Sequence, residues 1–187
     1  MAASENKALV AAQMFNQGDY EGAHALAQTL LREDPDNADA LFVVATCSAK
    51  ADEFGTAIPL LKRAAELKPT QPEIWNNLGM AYAGVDRHED GLKAFQRAHK
   101  MRPNSPVYLA NIGQSYLGLG KSQTAIEWCD RALQHDPLMK GATITRGFAL
   151  LGQGKWSDGW PGYGAGLGGK FRLQQDYGVP VWNGEKD

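Results

Sequence analysis

The chain has 187 residues, with 19 Lys plus Arg against 21 Asp plus Glu, 43% hydrophobic and 21% charged residues. It is long enough to bury a core and too apolar for disorder. A net charge of −2 provides no bulk field for nucleic acid or an anionic membrane surface. The longest apolar stretch, 40–49, is interrupted by Thr46 and Ser48 and is too short for a bilayer span. The first fifteen residues carry Glu5, Lys7 and Gln13 where a signal peptide needs an apolar run, so the expected location is cytoplasmic.

Apolar residues recur at helical spacing along the chain, and no segment sustains the alternation of a strand. The predicted helices run 6–17, 22–33, 38–50, 56–67, 72–84, 89–100, 106–118, 123–134 and 140–152. A shorter helix is expected at 157–166, with Pro161 near its start. An extended Trp/Tyr-bearing segment follows it. Prolines at 35, 69, 103 and 137 recur every 34 residues, each after a helix-like segment. The turns inside the helix pairs keep the same period: QGDY at 17–20, ADEF at 51–54, VDRH at 85–88, LGKS at 119–122 and QGKW at 153–156.

Small residues form columns at this period. One holds Ala11, Ala45, Gly79, Gly113 and Gly147; another holds Ala23, Ala57, Gly91, Ala125 and Gly159. They let paired helices approach closely, and a larger side chain there would overpack the contact. A column of Val10, Val44, Leu78 and Ile112 supplies core side chains.

The third unit reads Trp75-x-x-Leu78-Gly79-x-x-Tyr82, then Gly91-x-x-x-Phe95, then Pro103. This resembles the tetratricopeptide repeat, with Gly91 where that pattern has Ala. The resemblance covers about residues 4–160. It implies an all-α, right-handed superhelical solenoid of antiparallel helix pairs with an irregular Gly/Trp-rich C-terminal cap. The array is expected over 4–152, as four repeats plus the first helix of a fifth, and a capping or linker segment over 153–187. Trp156, Trp160, Phe171, Tyr177 and Trp182 are candidates for the cap.

The resemblance further implies a concave face lined by the first helix of each pair, suited to a peptide or partner segment. Helical phase places Phe42, Thr46, Asn76, Asn77, Met80, Ala110, Asn111 and Gln114 on it. Asn77 and Asn111 lie one repeat apart, and an amide both donates and accepts, so it can bond to peptide backbone. The pair resembles the asparagine ladder in the tetratricopeptide array of O-linked N-acetylglucosamine transferase. It is short here, because Val43 and Thr145 occupy the flanking places. The basic cluster with which some family members grip a C-terminal carboxylate is missing: Ala8, Ala12, Val43, Glu73 and Thr145 stand there.

The tail is distinct, with 12 of the 21 glycines and 3 of the 5 tryptophans after Lys140. Gly154, Trp156, Gly159, Trp160, Tyr163, Arg172, Pro180, Trp182 and Gly184 resemble the join between a tetratricopeptide array and a glycosyltransferase-like domain in bacterial and phage-type proteins. Gly164, where that join has Glu, departs from it. Gly164-x-Gly166-x-x-Gly169 fits a dinucleotide phosphate-loop pattern and Gly164-x-x-x-x-Gly169-Lys170 nearly fits a P-loop, but no strand precedes this segment and in the second pattern Phe171 replaces the magnesium-binding hydroxyl. It reads as a connector.

No His, Cys or carboxylate grouping has metal-ligand or catalytic spacing, and Cys47 and Cys129 read as buried hydrophobes. The chain is therefore expected to be non-enzymatic, without metal or cofactor, and to bind a protein or peptide rather than nucleic acid or membrane. Two alternatives stand beside this. One is a substrate-recruiting module of a larger glycosyltransferase-like protein. The other is a self-assembling scaffold, a homo-oligomer suggested by the net −4 of residues 1–70 (6 basic, 10 acidic) against +2 for 71–187 (13 basic, 11 acidic).

Overall fold

The computed structural model describes residues 2–166, and they form ten helices with no strand among them. In order these are α1 (Ala2–Asn16), α2 (Tyr20–Glu33), α3 (Ala38–Lys50), α4 (Phe54–Leu67), α5 (Pro72–Ala83), α6 (His88–Met101), α7 (Pro106–Gly118), α8 (Ser122–His135), α9 (Lys140–Gly152) and α10 (Trp156–Gly166). The chain divides into two compact units, 1–101 and 102 onward. The first stacks three α-hairpins and the second two. The extended segment expected after 166, with Phe171, Arg172, Tyr177, Pro180, Trp182 and Gly184, lies outside the described residues.

The hairpins owe their equal length to their turns. Gly18, Asp52, Asp86, Gly120 and Gly154, spaced by 34, all hold left-handed backbone, with φ between 57° and 89°. One residue later the N–H of Asp19, Glu53, Arg87, Lys121 and Lys155 bonds back to a carbonyl in the last turn of the preceding helix at 2.9–3.0 Å. This is the Schellman closure of a helix C-terminus. Glycine adopts the left-handed region freely, and aspartate tolerates it better than most residues.

The second turn of each repeat starts the next helix. Asn37 caps α3 by accepting from the N–H of Ala40 at 3.0 Å, and Pro72 and Pro106 open α5 and α7, where a missing N–H costs nothing. The side chains of Asp34 and Asp136 accept from N–H groups two residues on, folding the turns around Pro35 and Pro137.

The small-residue columns set the close approach. A Cβ built on Gly79 would lie 2.6 Å from the Phe95 ring, and one on Gly113 would lie 2.7 Å from Cys129 Sγ. One on Gly147 would lie 2.8–2.9 Å from the backbone of Gly159, Gly162 and Tyr163. Gly22 near the start of α2 meets Met14 near the end of α1, Gly91 near the start of α6 meets Tyr82 and Ala83 at the end of α5, and Gly159 near the start of α10 meets Leu151 near the end of α9, so these hairpins are antiparallel. Core clusters then cross from hairpin to hairpin. One joins Ala11, Ala27, Leu30 and Val44 of α1–α3; another joins Leu41, Leu61, Ile74 and Leu78 of α3–α5. In the second unit Leu109, Cys129 and Ala142 tie α7, α8 and α9.

Three sequence expectations change. Val10 is 40% exposed, although Val44, Leu78 and Ile112 in its column are buried, because α1 packs only on α2 and α3 and turns its other side outward. Ala110 is buried with Leu109 in the second unit's core, not on an open face. Pro161 sits at the sixth residue of α10 rather than at its start. Pro59 occupies the same place in α4, 102 residues earlier, and both are exposed, where water can satisfy the carbonyl each leaves unpaired.

Candidate functional site

Within each unit the first helices approach one another: α1 meets α3, α3 meets α5, and α7 meets α9. The second helices within a unit, α2, α4 and α6 or α8 and α10, make no such approach among the described residues. Each unit therefore curves with its first helices inside.

In the first unit, Phe42, Thr46 and Ala49 form one i, i+4, i+7 stripe on α3, and Asn76, Met80 and Ala83 form its counterpart on α5. Met80 is 51% exposed; the other five are half-buried. Phe42 and Ala49 pack their inner edges on the core beneath. The Thr46 hydroxyl donates to the carbonyls of Phe42 and Val43, both at 2.9 Å, so it is engaged within its own helix. Asn76 Nδ2 lies 3.5 Å from Met80 Sδ, and Asn77 is half-buried next to it. In the second unit Asn111 is half-buried and Gln114 exposed on α7, while on α9 the buried Thr145 stands at the Asn111 column. Asn77 and Asn111 belong to different units.

Sequence reasoning missed Phe148 on α9, 46% exposed, with its ring edge-on to Tyr163 at 5.4 Å. The signal was present, since Phe148 lies 68 residues, two repeats, after Met80. Val107, 43% exposed on α7, was missed likewise.

The second helices carry the charge. Arg63 holds Asp36 at 2.8 Å and Glu66 at 3.1 Å, and Lys68 holds Asp39 at 2.7 Å. Arg87 lies 2.6 Å from Asp90, and its hydrogen bond holds that carboxyl below the usual carboxylate range. Asp130 and Arg146 pair between α8 and α9. A cleft of roughly 300 Å³ between α4 and α6 has Trp75, Leu78 and Tyr82 as its floor. Trp75 donates its indole N–H to the Pro69 carbonyl at 2.8 Å and bears Arg97 at 4.3 Å from its ring centre, which anchors the turn to the hairpin. The cleft rim mixes Lys62, Lys93 and Arg97 with Glu66 and Asp90.

Both thiols are buried. Burial pushes Cys129 up to about 12 and raises Cys47, so neither is a nucleophile near neutral pH. Among the described residues no group of three His, Cys, Asp or Glu is placed to hold a metal ion, and no helix is long and apolar enough to cross a membrane. Gly164 and Gly166 of the phosphate-loop pattern fall in the last turn of α10, which follows a helix and not a strand.

Repeated antiparallel hairpins closed by small-residue columns and left-handed turns define an α-helical repeat array. Two family models, both described as tetratricopeptide repeat, match residues 14–76 and 76–139. The chain belongs to the tetratricopeptide repeat family. No curated protein matches it in sequence. Among solved structures it is similar to MamA, at 22% identity and TM-score 0.71, over 95% of this chain and 98% of that one. A thermophilic tetratricopeptide repeat protein of Thermus thermophilus matches at 19% identity and TM-score 0.71, over 90% and 92% of the two chains. YrrB, a tetratricopeptide repeat protein with an unusual peptide-binding site, matches at 15% and 0.69, over 91% and 86%. At these identities the likeness is one of fold.

Proposed function

We propose that the chain is a non-catalytic scaffold that holds a peptide or partner segment against the inner sides of its first helices. Phe42, Thr46, Asn76, Asn77 and Met80 make the contact in one unit and Asn111 and Gln114 in the other. The observation that carries this reading is the half-buried amides beside an exposed thioether on helices that curve inward. An amide on such a surface bonds to peptide backbone whatever its side chains, and methionine adapts its shape to an apolar contact. The peptide-binding site named for YrrB supports the same use of this fold. Residues 153–187 serve as a cap and linker to the array, and the protein works in the cytoplasm without metal or cofactor.

The test is a peptide array probed with wild type and with an Asn77→Ala/Asn111→Ala double variant. Loss of about fivefold in affinity is expected for a peptide held on either unit, since one polar contact at about 1 kcal/mol is removed from each. Equal binding by both proteins would take the amides out of the site.

A further inference from the structure

We infer that the inner face takes a partner segment whose contacting side chains carry no charge, and turns away acidic and basic ones. This rests on the function proposed above and names the class of partner.

The argument comes from the columns that contain Phe42, Thr46 and Ala49. Carried through all five repeats by steps of 34, they occupy fifteen positions, from Ala8 to Leu151, and not one is Asp, Glu, Lys or Arg. At the chain's 21% charged content roughly three charges would fall there. Burial does not explain their absence: only Ala8 and Ala110 of the fifteen are buried, and Met80, Gln114 and Phe148 are exposed. Half-buried places on the second helices do accept charge, as Asp90 and Asp130 show.

The charges nearest the stripes are already engaged. Lys50, at the end of α3, lies over the Tyr20 ring at 5.8 Å. Asp39 is bonded by Lys68, and Glu73, like Asp39, sits in a first helical turn, where a helix N-terminus favours an acid. An ion brought against Phe42 and Met80 would lose hydration and meet no opposite charge within the stripes, and to pair with Lys50, Asp39 or Glu73 it would have to compete with the contacts that already hold them. An apolar side chain would bury the Met80 thioether and the Phe42 ring edge, and Asn76 and Asn77 would bond to its backbone.

The experiment uses the full chain and three sets of capped twelve-residue peptides: one set built only from Ala, Leu, Val, Phe, Ser, Asn and Gln, and two matched sets carrying two Asp or two Lys. The neutral set is expected to bind, with affinity changing less than about twofold between about 50 and 500 mM NaCl, because no ion pair is there to be screened. Met80→Lys should weaken neutral binding about tenfold and recruit the acidic set, and Met80→Glu should recruit the basic set. Circular dichroism confirms that both variants fold, and Lys93→Ala on α6 should change nothing. Preference of the wild type for a charged set, or neutral binding indifferent to both Met80 variants, overturns the inference; in the first case the proposed function survives. Failure of all three sets to bind overturns both.

Discussion

Phe95 and Gly79 form a pair whose energetics can be worked from their contact. The Phe95 ring is 1% exposed, and it lies where a Cβ on Gly79 would stand 2.6–2.8 Å from three of its carbons. Phe95→Ala removes a fully buried aromatic and is expected to cost about 3–5 kcal/mol. Gly79→Ala alone gains about 1 kcal/mol of helix propensity but forces the ring aside at about 1–3 kcal/mol, for a net loss of about 0–2 kcal/mol. In the Phe95→Ala background the ring is gone, so the same Gly79→Ala change keeps its propensity gain and fills part of the cavity. The double variant should therefore be about 1–3 kcal/mol more stable than the sum of the single effects. Urea unfolding followed by circular dichroism at 222 nm measures all four proteins. Additivity within about 0.5 kcal/mol would refute the close packing of ring on glycine.

Further outcomes follow from the turns, the caps and the thiols. Asp52→Gly and Asp86→Gly relieve left-handed backbone at φ 60° and 57° and should each raise stability by about 0.5–1 kcal/mol in the same urea assay. Asp19→Ala removes the side chain that accepts from the Gly22 N–H at 2.9 Å and should lower stability by about 1 kcal/mol. Cys129 should react with iodoacetamide in native protein at pH 8 only as fast as the second unit opens, and rapidly in urea. Its raised value also sets a pH slope. Folding keeps the thiol protonated, so stability is intact below the ordinary thiol value of 9.0 and falls as pH climbs from there toward about 12; Cys129→Ala should flatten that decline. The Arg87–Asp90 pair has the opposite sign: its support is present above the ordinary carboxylate value of 3.8 and is lost as pH falls below it, so Arg87→Gln should matter at pH 6 and not at pH 2.

Much of the fold was legible because the repeat is written in residues with backbone consequences. Prolines at 34-residue intervals mark where helices cannot continue, and glycines at 79, 113 and 147 mark where two helices touch. The left-handed turn column was half visible: Gly18, Gly120 and Gly154 declare it, but Asp52 and Asp86 fit an ordinary polar turn equally well. Val10 misled because a column assigns one environment to every repeat, whereas the outermost helix has a side with nothing packed on it. Ala110 misled because an alanine can be drawn into the core where the longer Asn76 and Phe42 of its column cannot. Pro161 misled because the cost of an interior proline depends on whether water reaches the freed carbonyl. The stripes on α3 and α5 were legible as a register and not as chemistry. That Thr46 spends its hydroxyl on its own backbone, and that Met80 stands half clear of the surface, depends on rotamers and neighbours absent from any sequence pattern.

Methyl NMR on the five methionines reads the central claim most directly, because the proposed site contains Met80, 51% exposed on α5, and leaves out Met101, 38% exposed at the end of the second helix α6. On titration with the tightest neutral peptide from the array, the Met80 methyl resonance should shift and saturate with the binding curve while Met101 stays in place. A saturating shift of Met101 with Met80 unmoved would put the partner elsewhere and contradict the account.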